Sequence, residues 1–187
     1  MEIDQFINII KYAGRLKNLP RNGWIFRGVP NPESISDHSY RVNLITLFLS
    51  EVISGLDIVK ALKISIVHDL GESILTDIPK ETMEILTESA KLESEHNAFE
   101  LLFKDGYSEY IELIDEYNKR ETLESRVVYA ADKLEMLFQG LEYYRNGYSE
   151  VEEFFNDLSY IKNLDIEYVT ELVEKIEEEF NKLKMKE

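Results

Sequence analysis

Apolar residues recur at helical spacing along most of the chain, and no stretch of useful length alternates apolar with polar as a half-buried strand does. A first helix is predicted over 3–16. Ser34, with Asp37 three residues on, has the pattern of a capping box and opens a helix that carries Val42, Ile45, Leu49 and Val52 on one face. Gly55 and Asp57 separate it from a helix ending at His68-Asp69, which Gly71 breaks. A short irregular segment runs to Pro79, and further helices are predicted over 80–104, 107–118, 121–145, 149–158 and 165–184. The expected architecture is an all-α bundle of about eight helices, built as one domain of 187 residues.

Two segments depart from this rhythm. Residues 17–34 are punctuated by Pro, Asn and Gly and read as a loop, and a loop of that length in a compact helical domain is commonly functional. The last forty residues are rich in Glu, Lys and aromatics. "VTELVEKIEEEFNKLKMK" reads as an amphipathic closing helix whose charges form a solvated face.

Composition narrows the class. Cysteine is absent, so disulfides and thiolate metal sites are excluded. The densest apolar run, Leu44 to Leu49, is too short to span a bilayer, and no cationic, apolar leader opens the chain. A cytoplasmic protein without a membrane partner is expected. The net charge of −16 argues against a nucleic-acid polymer as partner, because a polyanion would be repelled. The charge is unevenly spread: between Asp4 and Glu33 there is no acid, while Lys11, Arg15, Lys17, Arg21 and Arg27 lie there. This basic segment either receives a small anion or balances acidic helices elsewhere.

The chemistry centres on four residues. His38 stands at helical spacing from Val42 and Ile45, and His68-Asp69 ends an apolar helix. Asp132 has Val128 and Met136 one turn away on either side, so it should face inward. A carboxylate in a core is costly unless it is paired or bound to metal. One divalent ion would neutralise both aspartates and take up both imidazoles, and such donors suit Zn, Mn, Fe, Co or Ni. Adjacent His68 and Asp69 diverge by about 100° on an ideal helix, so both reach one ion only at a helix end. His96, the third histidine, sits among charges and reads as a surface residue, which favours one ion over two.

The order His…His-Asp…Asp on helices resembles the HD-domain phosphohydrolases. The blocks "LKNLPRNGWIFRGVPNPESISDHSYRV", "HDLGESILTDIPK" and "ADKLEMLFQGLEY" together resemble the 5′-deoxynucleotidase branch of that superfamily, over roughly residues 5–145. The resemblance implies an HD-domain helical bundle, commonly a homodimer, that hydrolyses deoxynucleoside 5′-monophosphates to the deoxynucleoside and phosphate. It makes His38, His68, Asp69 and Asp132 the ligands of one divalent ion, with identity open among Mn, Co, Zn, Ni, Fe and Mg. It makes Glu72 the catalytic glutamate and Asp77 an active-site aspartate, although Thr76 stands where the family usually has Gly. Trp24 matches a tryptophan lining the nucleotide pocket. The bacterial enzymes place a phosphate-binding Arg directly before that Trp; here Gly23 takes the place, leaving Arg21 as first candidate and Arg27 as second.

On this reading residues 1–187 form one HD domain. A metal core spans 35–135, the N-terminal helix and substrate loop 1–34, and closing helices 146–187. Two alternatives accompany it: an HD-type phosphohydrolase with another nucleotide or phosphorylated metabolite as substrate, and a non-catalytic helical interaction module that holds metal for structure only. Glu72 separates the last from the others, since a structural site has no use for a carboxylate beside an open metal position.

Overall fold

The computed structural model describes residues 3–103 and 106–185, so the predicted helix end at 104 lies outside them. The fold is organised around its longest helix, α8 (Leu123–Arg145). Thr122 and Ser125 form a capping box at its start, each side chain accepting from the other's backbone N–H at 3.2 Å, which satisfies donors that a helix N-terminus leaves open. Its Val127, Ala130, Ala131, Leu134, Leu137 and Leu141 are buried. Helices α3 (Ile35–Ser50) and α4 (Ile58–Val67) pack on it, as do α7 (Glu109–Lys119) and α10 (Glu167–Lys184). α10 turns Val169, Val173, Ile176 and Phe180 inward at spacings of four, three and four, leaving its Glu and Lys face outward.

The predicted cap of α3 forms: the Asp37 N–H donates to Ser34 Oγ at 3.1 Å, and the Ser34 N–H donates to Asp37 Oδ2 at 3.0 Å. The far end differs from expectation. α3 stops at Ser50, its last turn tightens to hydrogen bonds three residues apart, and Gly55 turns the chain at φ 81°. Ile53 therefore packs on the core while Val52 is exposed.

Two other predicted helices are divided. Residues 80–104 form a 3₁₀ turn, Lys80–Glu84, and a separate helix α6 (Glu88–Phe103). Thr87 begins the second piece, its Oγ1 accepting from the Ala90 N–H at 3.2 Å. The segment predicted as a helix over 149–158 is a 3₁₀ helix, Ser149–Phe155, that buries Val151 and Phe155 against α8. Single turns α2 (Asn22–Ile25), α5 (Glu72–Leu75) and α9 (Ser159–Lys162) complete the described helices, with α1 (Ile3–Arg15) and the 3₁₀ turn Leu16–Asn18 that follows it.

The loop between α1 and α3 is pinned at its neck. The Arg21 N–H donates to Glu33 O, and the Ile35 N–H to Leu19 O, so the two ends of the loop run side by side. No strand forms among the described residues.

Candidate active site

The end of α4 brings His68 and Asp69 to one point. The helix closes at Val67, and the Leu70 N–H reaches back only three residues to Val67 O, at 2.8 Å. Gly71 is needed here for space rather than for an unusual dihedral angle. Its φ is an ordinary −58°, but a Cβ would stand 3.0 Å from the Phe99 ring. That close approach lets α5 begin at once and sets Glu72 one turn beyond Asp69.

His38 comes from the buried face of α3 and Asp132 from α8. His38 Nε2 stands 3.2 Å from Asp132 Oδ1 and 3.5 Å from Asp69 Oδ2. His68 Nε2 stands 3.3 Å from the same Asp69 oxygen. The ligand atoms of His38, His68 and Asp69 all lie within 4.8 Å of one another. His38 Nε2, His68 Nε2 and Asp69 Oδ2 are buried without hydrogen-bond partners. Three such atoms meeting at one point would be costly if they served nothing. One divalent ion would engage them all, and the donor set of two imidazoles and two carboxylates fits such an ion.

The other ring nitrogens hold these imidazoles in place. His38 Nδ1 is 2.5 Å from Glu135 Oε2, and His68 Nδ1 donates to Ser65 O at 2.7 Å. Burial opposes charge on His38, yet Asp132 and Glu135 push it up to about 9. Burial likewise opposes ionisation of Asp69, but His68, His38 and Arg21 hold it well below the usual carboxylate range. Asp132 is held down by Lys133, His38 and Arg21 against the same opposition, and it accepts a hydrogen bond from the Tyr117 hydroxyl at 3.2 Å.

His68, Asp69 and Asp132 open onto a cavity of about 470 Å³, with His38 and Glu135 buried behind them. Arg21, Trp24, His68, Asp69, Glu72, Asp77, Asp132 and Lys133 line it. Arg21 Nη1 stands 3.6 Å from Asp69 Oδ2, and burial's pull on its charge is outweighed by Asp69, Asp132, Asp77 and Glu72. Glu72 is held well above the ordinary range, by burial first and then by Asp69 and Asp77, with Arg21 opposing. Its Oε2 has no hydrogen-bond partner. Asp77 ties the loop to the site: its Oδ2 accepts from the Asn22 N–H, and its carbonyl accepts from Asn22 Nδ2 at 2.8 Å.

Trp24 and Arg27 are placed differently from Arg21. Trp24 reaches the cavity, but it is 2 % exposed and its ring packs edge-on against Tyr143 and Phe154. Its Nε1 donates to Glu33 Oε1 at 3.0 Å. Arg27 does not line the cavity. Its guanidinium pairs with Glu81 at 2.5 Å and Glu153 at 2.9 Å and lies over the Phe154 ring, which anchors the loop. His96 stands outside the cluster and pairs with Asp115 at 3.0 Å.

Sequence reasoning missed Glu135, Lys133 and Tyr117. Glu135 carried a usable signal: it lies one turn after Asp132 in a run whose neighbours are apolar, so two acids share the inward face. Glu33 belongs to the same buried group, pushed up to about 7 by burial and by Glu135.

Residues 13–174 match the family model for the HD domain. The chain is 35% identical over 148 residues to the 5′-deoxynucleotidase hdd1 of Schizosaccharomyces pombe, covering 75% of this chain and 74% of that one. It is 32% identical over 143 residues to the 5′-deoxynucleotidase HDDC2 of Homo sapiens, with 73% and 67% covered. A solved structure of a conserved hypothetical protein from Pyrococcus furiosus is 44% identical and superposes with a TM-score of 0.82, over 91% of this chain and 98% of the other. The chain belongs to the HD-domain family, on the branch that holds these 5′-deoxynucleotidases.

Proposed function

We propose that this single-domain protein hydrolyses deoxynucleoside 5′-monophosphates to the deoxynucleoside and phosphate, with one divalent ion held by His38, His68, Asp69 and Asp132. The observation that carries the reading is the convergence of buried His38 Nε2, His68 Nε2 and Asp69 Oδ2, none with a hydrogen-bond partner, beside a cavity that Arg21 and Glu72 line. The names of the relatives support the substrate class. The cavity's volume also falls in the range that encloses a small ligand.

A divalent ion held by these four residues would supply Lewis acidity toward a phosphoryl oxygen and help to activate water. Arg21 places a guanidinium against the charge that develops on the transferring group. Glu72, on the cavity wall one turn beyond Asp69, holds the attacking water or gives a proton to O5′ of the departing deoxynucleoside. Asp77 fixes the turn that carries Asn22, and so sets where Arg21 and Trp24 stand. Trp24, held rigid by Glu33, Tyr143 and Phe154, walls the sugar side, where close packing rejects a 2′-hydroxyl.

The donor set admits Mn, Co, Zn, Ni, Fe or Mg. A homodimer is part of the proposal: Ile3, Phe6, Ile7 and Ile10 form an exposed apolar stripe on α1, a face that a second copy would cover. So is a cytoplasmic location, where a nucleotidase of this kind meets its substrates. No helix among the described residues is long and apolar enough to cross a membrane.

The substrate class is tested by phosphate release from a panel of deoxynucleoside and ribonucleoside monophosphates and deoxynucleoside triphosphates. Hydrolysis confined to the deoxynucleoside monophosphates is expected. Equal hydrolysis of dAMP and AMP would remove the deoxy preference, and activity on the triphosphates alone would replace the substrate class.

A further inference from the structure

The cations around the cavity are not equally free. Arg27 is taken up by Glu81 and Glu153, away from the lining. Arg21 approaches the metal-ligand group from the loop, 3.6 Å from Asp69. Lys133 approaches it from α8, its Nζ 2.8 Å from Asp132 Oδ2. It is the residue after a proposed metal ligand, and its side chain, 25 % exposed, is part of the cavity lining. Asp69 and Asp132 meet at His38 Nε2, so the two cations stand beside the two carboxylates that converge on one point.

We infer that Lys133 is a second phosphoryl-binding cation of this site, acting with Arg21 on the phosphate of the substrate. The inference rests on the reading of the cavity as one that takes a phosphate monoester. An ammonium has three donors, and Asp132 occupies one of them. The Tyr129 ring, 5.1 Å away, steadies the ammonium without consuming a donor. At least one N–H is thus left for a phosphoryl oxygen.

Charge points the same way. Lys80, Lys91 and Arg120 also line the cavity, with Glu88 and Glu95, but Lys91 pairs with Glu95 and the Arg120 guanidinium lies over the Tyr129 ring. Arg21 and Lys133 are the cations that pair with the converging carboxylates, at 3.6 Å from Asp69 and 2.8 Å from Asp132. A phosphate monoester is a dianion, and Lys133 adds to the positive charge that draws it in. The contact with Asp132 keeps the ammonium beside the ligand group. The basic loop seen in the sequence thus supplies half of the phosphate site, and α8 supplies the rest.

The test compares wild type, Lys133→Gln and Lys133→Arg, each loaded with metal. Metal content is measured by elemental analysis, affinity for inorganic phosphate by calorimetric titration, and kcat and KM on dAMP. All three proteins should hold the same metal. Lys133→Gln should bind phosphate about 10- to 100-fold more weakly, the scale of losing one charge-assisted hydrogen bond, with kcat/KM falling in step. Lys133→Arg, which keeps the charge and guards against misreading a folding defect, should restore most of both. The inference is overturned if Lys133→Gln binds phosphate as tightly as wild type. It is also overturned if phosphate affinity falls only as far as metal content does, since Lys133 would then serve Asp132 alone, or if wild type binds no phosphate. Phosphate binding that depends on Lys133 in a protein that hydrolyses no deoxynucleotide would uphold the subsite and remove the nucleotidase reading.

Discussion

Glu135 Oε2 lies 2.5 Å from Nδ1 of His38, and both side chains are wholly out of solvent. The carboxylate accepts the Nδ1 proton, which fixes the ring's orientation and leaves Nε2 facing Asp69 and Asp132. Arg41 Nε stands 3.4 Å from the other Glu135 oxygen, so the orienting carboxylate is itself held. Glu135→Gln should therefore weaken metal affinity about 10- to 100-fold, the range found for partners behind a ligating His. Calorimetric titration of the metal-free variant measures it, and unchanged affinity would separate Glu135 from the metal.

The two loop arginines should fail in different ways. Arg21→Ala removes a donor beside the reacting phosphate and should lower kcat/KM by about 10²- to 10³-fold with little change in the thermal midpoint. Arg27→Ala should do the reverse. It frees the loop from Glu81 and Glu153 and should cost about 1–2 kcal/mol of stability, the lower part of the range because both partners can be hydrated. Denaturant titration and steady-state kinetics on both variants distinguish them.

Thr76 holds φ 65° and ψ 169°, a backbone region that suits glycine. The family's usual Gly at this place needs no other explanation. Its side chain is exposed, so little packing is lost on removing it. Thr76→Gly should stabilise the fold by about 1 kcal/mol, the relief of strain less the entropy that glycine adds to the unfolded chain. A lower midpoint in urea would show that the hydroxyl or the backbone is held by something stronger.

Metal removal should destabilise the protein. Chelation leaves Asp69 and Asp132 buried with less compensation, and binding energy for the ion is also folding energy. The thermal midpoint should fall on chelation and rise again with added divalent metal, the gain growing with the logarithm of its concentration over the dissociation constant. A midpoint indifferent to both would deny any coupling between this cluster and the fold.

Much of the fold was legible because helical periodicity and caps are local. Ser34 with Asp37, and Asp57 before α4, mark helix starts that the structure keeps. The ends were less legible, because what decides them is tertiary. Val52 fits the α3 stripe, but the last turn tightens and Ile53 takes the inner place. In 149–155 the winding follows packing against α8, which no local pattern encodes. At the site, the residue types that converge and their order were visible, and so was a helix end at Gly71. The reason for Gly71 was not visible, since Phe99 comes from a distant helix. The second role of α8 also lay hidden, because Lys133 and Glu135 acquire meaning only beside Asp132 and His38.

The central claim is that four side chains hold one divalent ion and use it on a phosphate monoester. It is tested most directly by measuring metal content and dAMP hydrolysis together, in wild type, in wild type after chelation, and in Asp69→Ala. The account predicts one ion per chain and turnover in wild type, and loss of both on chelation, with recovery when metal is returned. Asp69→Ala should lack both and should not be rescued by metal at the concentration that restores wild type. Full metal content and turnover in Asp69→Ala, or turnover by wild type shown to be free of metal, would contradict it.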